Sequence, residues 1–365
     1  MERSSPSGLS RHVPALDGIR GLAILAVVFH HFAAFPRYFF PGWAGVDLFF
    51  VLSGYLITGR LLSTRGKPHY FSRFYRNRIL RIWPLYYLVL TAFFIILFYF
   101  ISARNQPGFS FYTDHWKSFV IFTQNWSIIR YGWPRDLSLM PLWSIALEEQ
   151  FYLLWPLVIF LLPAGKTRLR VFLILLLFIP LVRSAYYFFL SPSASSIYFN
   201  TFFRMDSFLA GGLLCQVHRM GINIPPTWQK IGAAFISIVL VTAIAMGSIS
   251  PYKPFMTTVG YTFLAGLFTL LLHAAVQPKG FVARLCNISV LRFCGKISYC
   301  LYLVHVPISL LLGTRLYLLG ISYAPGLHDF IYWASAIICL GLSFLISIFS
   351  FRYFESWFLS MKAKP

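Results

Sequence analysis

Residues Leu16–His31 read LDGIRGLAILAVVFHH, a hydrophobic run that contains one aspartate, one arginine and two histidines. Arg20 and His31 are about three helical turns apart, so on an α-helix both side chains fall on one face, roughly 16 Å apart along the axis. Asp17 lies on nearly the same face, whereas His30 points about 100° away. A histidine in an apolar helix is costly to bury unless it is hydrogen-bonded or functional. The stretch therefore predicts a helix with one polar face, on which His31 is either a hydrogen-bonded packing residue or a reactive group.

The composition indicates a membrane protein. The chain has 365 residues, of which 58% are hydrophobic and 11% charged, whereas soluble domains are about 25% charged. The net charge of +21 does not indicate nucleic-acid binding, because the basic residues occupy short loops and form no continuous face. The five cysteines include no Cys-x-x-Cys pair, so neither a disulfide framework nor a metal site is indicated.

Hydropathy predicts an all-α polytopic protein with about ten transmembrane helices. The predicted spans are 19–36, 45–61, 84–102, 141–162, 171–190, one that opens at about 203, 229–248, 258–275, 296–314 and 330–350. The most basic loop, 60–81, is predicted to be cytoplasmic, and with ten spans both termini lie in the cytoplasm. Residues 117–129 are apolar but too short to span. We interpret them as a re-entrant or interfacial segment; an extra span is the alternative, and it would place the basic residues at 166–170 outside.

Six stretches resemble, in the same order, the motifs of the membrane-bound acyltransferase-3 family. They are Leu16–Gly21 followed by His31, Gly45–Thr58, Phe74–Pro84, Leu142–Pro156, Phe203–Gly212 and Gly295–His305. The resemblance extends to Glu355, so we expect one acyltransferase-3-like domain over 1–365, with its core at 14–356 and no fused soluble domain. Some members of the family carry an extra extracellular hydrolase-like domain that passes the acyl group on. Without one, the protein is expected to complete the transfer itself.

The resemblance implies transfer of an acyl group, expected to be acetyl, from cytoplasmic acyl-CoA to a hydroxyl of a carbohydrate acceptor. O-antigen, exopolysaccharide and lipid-linked sugars are acceptors of this class. Acyl-CoA would be a substrate rather than a permanently bound cofactor, and the protein would be integral to the bacterial inner membrane. No nucleic-acid partner is expected.

Arginines near the predicted cytoplasmic boundary are candidates for binding the phosphates of the donor. Arg76, Arg78 and Arg81 offer planar guanidinium groups that match phosphate. Of the seven arginine and lysine residues between positions 60 and 81, six are arginine. The positive-inside rule alone does not favour arginine over lysine. Arg20 is a fourth candidate, and it would either position His31 or bind a donor phosphate. The alternative is that these arginines serve only as topology signals.

His31 is the candidate general base for the acceptor hydroxyl, since a neutral imidazole can accept a proton near the working pH. Glu148 matches the glutamate of the family's fourth motif, and it and Asp47 are candidates for orienting His31 or the acceptor. A covalent acyl-histidine relay is the alternative chemistry. His305 is either a second candidate base or an ordinary buried hydrogen-bonding residue, and His30 is interpreted as packing or tautomer support.

Other polar side chains in the apolar segments are candidates for acceptor binding or for supporting the reactive groups. They are Asp17, Ser144, Tyr152, Arg204, Asp206, Tyr302 and His305. Ser144, Glu148 and Tyr152 recur every four residues and so share a helical face. Instead of a functional role, Arg204 and Asp206 could form ion pairs or lie at the outer membrane boundary. Gly54 could serve only to let two helices approach closely.

Two other functions fit parts of the pattern. Intramembrane Asp, Glu, Arg and His would also suit a transporter or flippase without chemistry, although the two similar halves typical of transporters are not found. An acyltransferase that acts on a small molecule such as a macrolide is the second alternative. Formation of a labelled ester from acyl-CoA would separate the enzyme from the transporter.

Overall fold

A computed structural model of the chain describes residues 13–32, 40–100 and 109–362. Within these ranges the regular secondary structure is entirely helical, and no strand is present. The α-helices are α1 (Pro14–His31), α2 (Gly45–Thr64), α3 (Tyr70–Phe100), α4 (Ser110–Asp114), α5 (Trp116–Val120), α6 (Gln124–Tyr131), α7 (Leu142–Leu161), α8 (Lys166–Leu190), α9 (Ala194–Tyr198), α10 (Met205–Arg219), α11 (Pro226–Ala245), α12 (Tyr261–Val276), α13 (Phe281–Cys286), α14 (Ser289–Pro307), α15 (Thr314–Tyr323), α16 (His328–Phe349) and α17 (Ser356–Ser360). Three π-helical turns lengthen these helices, at Met256–Gly260, Ile308–Gly313 and Ser350–Glu355. The predicted all-α class is confirmed.

Eight helical segments among the described residues are long and apolar enough to cross a membrane. They correspond to eight of the ten predicted spans. The other two are α1, which has 18 residues and carries Asp17 and Arg20, and α10, which has 15 residues. A helix needs about 20 residues to cross the hydrocarbon core, so α10 is short for a span. The last residues of predicted spans 1 and 3, at 33–36 and 101–102, lie outside the described residues.

The boundary between the second and third predicted spans differs from the prediction. α2 continues to Thr64 and α3 begins at Tyr70, so most of the predicted basic loop is helical. Pro84 lies inside α3 rather than in its first turn. Proline removes one backbone hydrogen bond, a loss that membrane helices tolerate where neighbouring groups satisfy the freed carbonyl. Arg76, Arg78 and Arg81 therefore lie on a helix.

Residues 110–131 form three short helices, α4, α5 and α6, of 5, 5 and 8 residues. None is long enough to cross a bilayer, so the alternative of an extra span at 117–129 is wrong. Tyr86 and Tyr87 on α3 donate hydrogen bonds to the carbonyls of Phe119 and Val120, each at 2.8 Å. The segment is therefore tied to α3 by two side chain–backbone bonds.

The described chain divides into two compact units. The first comprises the chain up to Ala23, Val46–Tyr70 and Gln150–Gly295. In it, α10 packs against α8 and α12, and α2 crosses α10 so closely that a Cβ on Gly54 would lie 2.0 Å from the carbonyl oxygen of Phe208. The close-approach interpretation of Gly54 is thus confirmed. Large apolar side chains on α8 and α11 are exposed, among them Leu177, Phe178 and Ile238, as expected for faces in contact with lipid.

The second unit comprises Ile24–Gly45, Phe71–Glu149 and the chain from Lys296 onward. In this unit the Tyr299 hydroxyl donates to the carbonyl of Ile82 at 2.7 Å, which joins α14 to α3. An aromatic cluster of Trp83, Tyr86 and Phe122 packs α3 against the loop between α5 and α6. This unit contains both His31 and His305.

Candidate active site

Two histidines from distant parts of the chain meet in the second unit. His31 is the last residue of α1, and His305 lies near the end of α14. His31 Nδ1 and His305 Nε2 are 3.1 Å apart. His305 is completely buried, whereas His31 is exposed. The two candidate bases of the sequence therefore form one hydrogen-bonded pair, of which His31 is the accessible member.

The partner of His305 fixes the direction of this hydrogen bond. His305 Nδ1 lies 2.9 Å from the carbonyl oxygen of Leu301, and a carbonyl only accepts, so Nδ1 carries the proton. In the neutral ring Nε2 is then an acceptor, and it takes the proton of His31 Nδ1. In this tautomer Nε2 of His31 carries the lone pair. His30 contributes a ring edge, with its centroid 5.4 Å from that of His31.

Tyr302 and Ser144 form a polar contact beside His305. The two hydroxyls are 2.6 Å apart, and the Tyr302 hydroxyl is also 3.0 Å from the carbonyl oxygen of Pro141. The Tyr302 ring lies 5.8 Å from the His305 ring, centroid to centroid. The polar faces of α7 and α14 thus meet at the histidine pair, as the helical spacing of Ser144 and Tyr302 allowed. Tyr152, further along α7, lies in the first unit, where its hydroxyl is 3.1 Å from that of Ser53.

The two glutamates of α7 have different surroundings. Glu149 Oε2 accepts a hydrogen bond from Trp83 Nε1 at 3.0 Å. Glu148 is half-buried and interacts electrostatically with Glu149. The sequence favoured Glu148 alone, because Glu149 is outside the polar register of α7. The indole of Trp83 gives Glu149 a defined place in the second unit.

The three candidate donor-binding arginines lie on the first half of α3, in the second unit. Arg76 is exposed, and its Nη2 donates to the carbonyl of Met361 at 3.4 Å. Arg78 lies over the Phe74 ring at 5.9 Å, and Arg81 interacts electrostatically with Glu355. Arg78 and Arg81 are half-buried.

Arg20 lies in the first unit and pairs with Asp17, a partner that the sequence analysis placed on nearly the same helical face but did not assign to it. Arg20 Nη1 and Asp17 Oδ1 are 3.2 Å apart, and both side chains are partly accessible. Gly295 lets the backbone of α14 approach that of α1 here, since a Cβ at that position would lie 1.8 Å from the Asp17 carbonyl oxygen. Asp17 is thus a partner of Arg20.

Arg204 and Asp206 do not pair with each other. Arg204 Nη2 donates to Asp47 Oδ1 at 2.6 Å, and Arg183 Nη1 donates to Asp206 Oδ2 at 2.8 Å. All four side chains are inaccessible. Residues two apart on a helix point in different directions, which is the reason that each finds a partner on another helix. Both side chains lie in the interior of the first unit, each paired with a residue of another helix.

Arg183 is a buried charge whose partners the sequence did not predict. Its guanidinium donates to the carbonyls of Thr258 and Phe203, to Thr262 Oγ1 and to Asp206. A charged residue in the middle of an apolar span was the only signal for it. Similarly, the pairing of His31 with His305 joins positions 274 residues apart. The only sequence signal for this pairing was that both histidines lie on polar helix faces.

No group of three or more His, Cys, Asp or Glu side chains in the described ranges is arranged to hold a metal ion. The described residues of the second unit include His31 and His305, the hydroxyls of Ser144 and Tyr302, and the carboxylates of Glu148 and Glu149.

The model of the acyltransferase domain family designated Acyl_transf_3 matches residues 13–352. The peptidoglycan O-acetyltransferase OatA of Listeria monocytogenes is 29% identical over 95% of this chain and 56% of its own length. The relative named putative peptidoglycan O-acetyltransferase YrhL, from Bacillus subtilis, is 30% identical over 82% of this chain and 49% of its own length. The O-acetyltransferase OatA of Staphylococcus aureus is 29% identical over 95% of this chain and 57% of its own.

The chain thus spans about half the length of the curated relatives that it matches. No solved structure matches it. The family match covers nearly all described residues, including both histidines of the pair and the arginines of α3. The chain therefore belongs to the acyltransferase-3 family.

Proposed function

We propose that this protein transfers an acetyl group from cytoplasmic acetyl-CoA to a hydroxyl of a cell-envelope carbohydrate. The hydrogen-bonded pair of His31 and His305 carries the proposal, because it holds an accessible imidazole with its Nε2 lone pair available. The names of the relatives support acetyl as the group transferred and a peptidoglycan sugar as the acceptor. The protein is integral to a membrane, and we propose the bacterial inner membrane with both termini in the cytoplasm, because this orientation places the basic loops inside.

His31 acts as a general base in the proposed reaction. Its Nε2 removes the proton of the acceptor hydroxyl while the hydroxyl oxygen attacks the thioester carbonyl carbon. The tetrahedral intermediate collapses with cleavage of the C–S bond, and the proton held by His31 passes to the departing thiolate of CoA. His305 positions the ring, since its Nε2 accepts the His31 Nδ1 proton and so keeps Nε2 of His31 unprotonated in the resting state. We also propose that Glu148 orients the acceptor.

The arginines of α3 are proposed to bind the phosphates of the donor. Acetyl-CoA is a polyanion, and guanidinium groups make two parallel hydrogen bonds to a phosphate. Arg76 is exposed near the Met361 carbonyl, which a phosphate would replace as its partner. Arg81 and Arg78 lie further along the same helix. Arg20, which pairs with Asp17 in the first unit, is proposed separately as a phosphate-binding residue.

The buried pair of Asp47 and Arg204 is proposed to be structural. Both side chains are inaccessible, and Ser207 Oγ adds a hydrogen bond to Asp47 at 3.2 Å. A carboxylate with no accessible surface cannot reach the acceptor hydroxyl, so we propose no catalytic role for Asp47.

Purified protein in lipid nanodiscs, incubated with acetyl-labelled acetyl-CoA and soluble peptidoglycan glycan fragments, tests the proposed function. We expect the label to appear as an alkali-labile ester on the glycan. The same protein in sealed vesicles separates the alternatives, since a transporter would move substrate across the bilayer without forming any labelled ester. If an ester formed on a macrolide but on no glycan, the proposed carbohydrate acceptor would be wrong, while the proposed acetyl transfer would still hold.

A further inference from the structure

The segment between α3 and α7 contains a pocket that the proposed reaction does not use. Its volume is about 360 Å³, within the range of small-molecule sites of about 300–1,000 Å³. Rings of Phe111, Tyr131 and Trp133 line it, together with the charged groups of Asp114 and Arg135. The sequence predicted only that residues 117–129 form a re-entrant or interfacial segment.

The rings of the pocket present accessible apolar faces. Tyr131 is 57% exposed and Trp133 is 42% exposed. The Tyr131 ring stacks on the ring of His115 with centroids 4.2 Å apart and planes 17° apart, and the Arg130 guanidinium lies 5.4 Å from its centroid. Exposed aromatic side chains with one polar end are typical of recognition surfaces. The C–H faces of a pyranose ring are apolar, and they match such a surface.

The polar groups of the pocket suit hydroxyl and amide groups. Within the described part of the chain, neither the Asp114 carboxylate nor the Arg135 guanidinium forms an ion pair. The carboxylate can accept hydrogen bonds from sugar hydroxyls, and the guanidinium can donate to hydroxyl, acetamido or carboxylate oxygens. One negative and one positive charge leave the lining close to neutral, which does not suit the several phosphates of a CoA donor.

The pocket is built on a fixed frame. The Tyr112 hydroxyl donates to the Asp136 carbonyl at 2.6 Å and accepts from the Leu139 N–H at 3.2 Å. Burial raises the pKa of Tyr112, so this hydroxyl keeps the proton that it donates. Gly132 ends α6 with φ of +86° and ψ of −173°, a backbone conformation that glycine adopts readily, and Trp133 follows it. A preformed site loses little conformational entropy when a ligand binds.

The frame continues from the pocket to the histidine pair within the second unit. Arg135 is followed by Asp136 and, after a short turn, by Pro141, whose carbonyl is bonded by the Tyr302 hydroxyl. The Tyr302 ring contacts His305, which holds His31. The segment is on the outer side of the membrane in the proposed topology, where a cell-envelope glycan would lie.

We propose that this pocket binds a saccharide unit of the acceptor glycan, with a pyranose ring on Trp133 and Tyr131 and its polar groups on Asp114 and Arg135. The inference rests on the proposed function, since it names the place where the acceptor chain of that reaction docks. The ring that binds here need not be the one that is acetylated, because a glycan extends over several sugar units.

Trp133→Ala tests the pocket directly, and Trp116 provides a matched control. Trp116 lies on the same segment and is 48% exposed, but it does not line the pocket. The measurements are the Kd of a soluble fragment of alternating N-acetylglucosamine and N-acetylmuramic acid, by calorimetry on full-length protein in nanodiscs, and the acceptor KM. Loss of one stacked ring should weaken fragment binding about five- to tenfold. KM should rise by a similar factor with kcat unchanged, since the ring acts in binding.

Trp133→Phe should retain most of the affinity because it keeps an aromatic face, Arg135→Gln should weaken binding, and Trp116→Ala should match wild type. Unchanged Kd and KM in Trp133→Ala, with acetyl transfer intact, would overturn the pocket and leave the proposed function standing. Binding that depends on Trp133 in a protein that acetylates no glycan would contradict the proposed function and retain the pocket. Failure of the wild-type protein to bind the fragment would overturn the pocket.

Discussion

Asp47 Oδ1 and Arg204 Nη2 lie 2.6 Å apart, and neither side chain has accessible surface. Removal of one partner therefore leaves an uncompensated buried charge. We expect Asp47→Ala to lower the free energy of unfolding by about 3 kcal/mol or more. The double variant Asp47→Leu/Arg204→Met should recover much of this loss, because apolar side chains need no partner there. Thermal unfolding in detergent, followed by tryptophan fluorescence, measures both effects.

Asp17→Ala is the control for this prediction. Its ion pair with Arg20 is partly accessible, and such pairs contribute at most about 1 kcal/mol. A structural role for Asp47 and Arg204 would be contradicted if Asp17→Ala and Asp47→Ala lowered the free energy of unfolding equally. It would also be contradicted if the losses of unfolding free energy added when both members of the buried pair were removed.

Arg76 and Arg78 are predicted to bind phosphate rather than to serve only as topology signals. The double variant Arg76→Ala/Arg78→Ala should weaken acetyl-CoA binding at least about tenfold, because each charge-assisted pair is lost. Lysine at both positions should restore binding only in part, since it cannot make the two parallel hydrogen bonds. Calorimetry with acetyl-CoA measures the change, and Arg170→Ala, an exposed arginine on α8, is the control. Wild-type donor affinity in the alanine variant would show that the cluster acts in topology alone.

At the scale of elements, the crossing of α2 and α10 depends on the absence of side chains. A Cβ on Gly54 would lie 2.0 Å from the Phe208 carbonyl oxygen, and one on Gly59 would lie 3.3 Å from Cys215 Sγ. Backbone cannot move aside as a side chain can, so we expect Gly54→Ala to separate the helices and lower the unfolding temperature sharply. Gly59→Ala, on the same helix, should have a small effect. Similar unfolding temperatures for the two variants would contradict the close crossing.

The sequence predicted the helices better than their ends. Hydropathy located the long apolar helices, because lipid-exposed spans such as α8 are apolar along most of their length. It placed the start of span 3 at Pro84, whereas α3 begins at Tyr70. Basic residues lower hydropathy, and proline is a common first-turn residue. Neither signal shows that a membrane helix can continue past the apolar core as an amphipathic stretch.

At the scale of the whole molecule, the sequence predicted the polar residues of the site but not their partners. Arg20 and Asp17 lie on the shared helical face that was predicted, because that placement depends only on helical spacing. The pairs His31–His305 and Asp47–Arg204 join helices that are distant in the chain. Helix periodicity gives the face of a residue but not which other helix packs against that face, so these contacts required the tertiary structure.

The proposed topology rests on the distribution of charge, and labelling tests it. We predict that cysteines substituted for Lys67 and Ala164 are cytoplasmic and that one substituted for Lys117 is outside. All three positions are exposed, and the five native cysteines are buried, so background labelling should be low. A membrane-impermeant maleimide added to intact cells should label Lys117→Cys alone. Labelling of Ala164→Cys from outside would contradict the proposed orientation.

The central claim is that the accessible imidazole of His31 removes the proton of the acceptor hydroxyl, and the rate of acetyl transfer by His31→Gln tests it most directly. Glutamine keeps much of the size and hydrogen bonding of histidine but cannot take a proton. With matched amounts of folded protein and saturating acetyl-CoA and glycan fragment, we predict a rate at least about 100-fold below wild type. His30→Gln, the neighbouring control, should retain substantial activity. A His31→Gln protein that acetylates at a rate near wild type would contradict the account and move the base to His305 or Glu148.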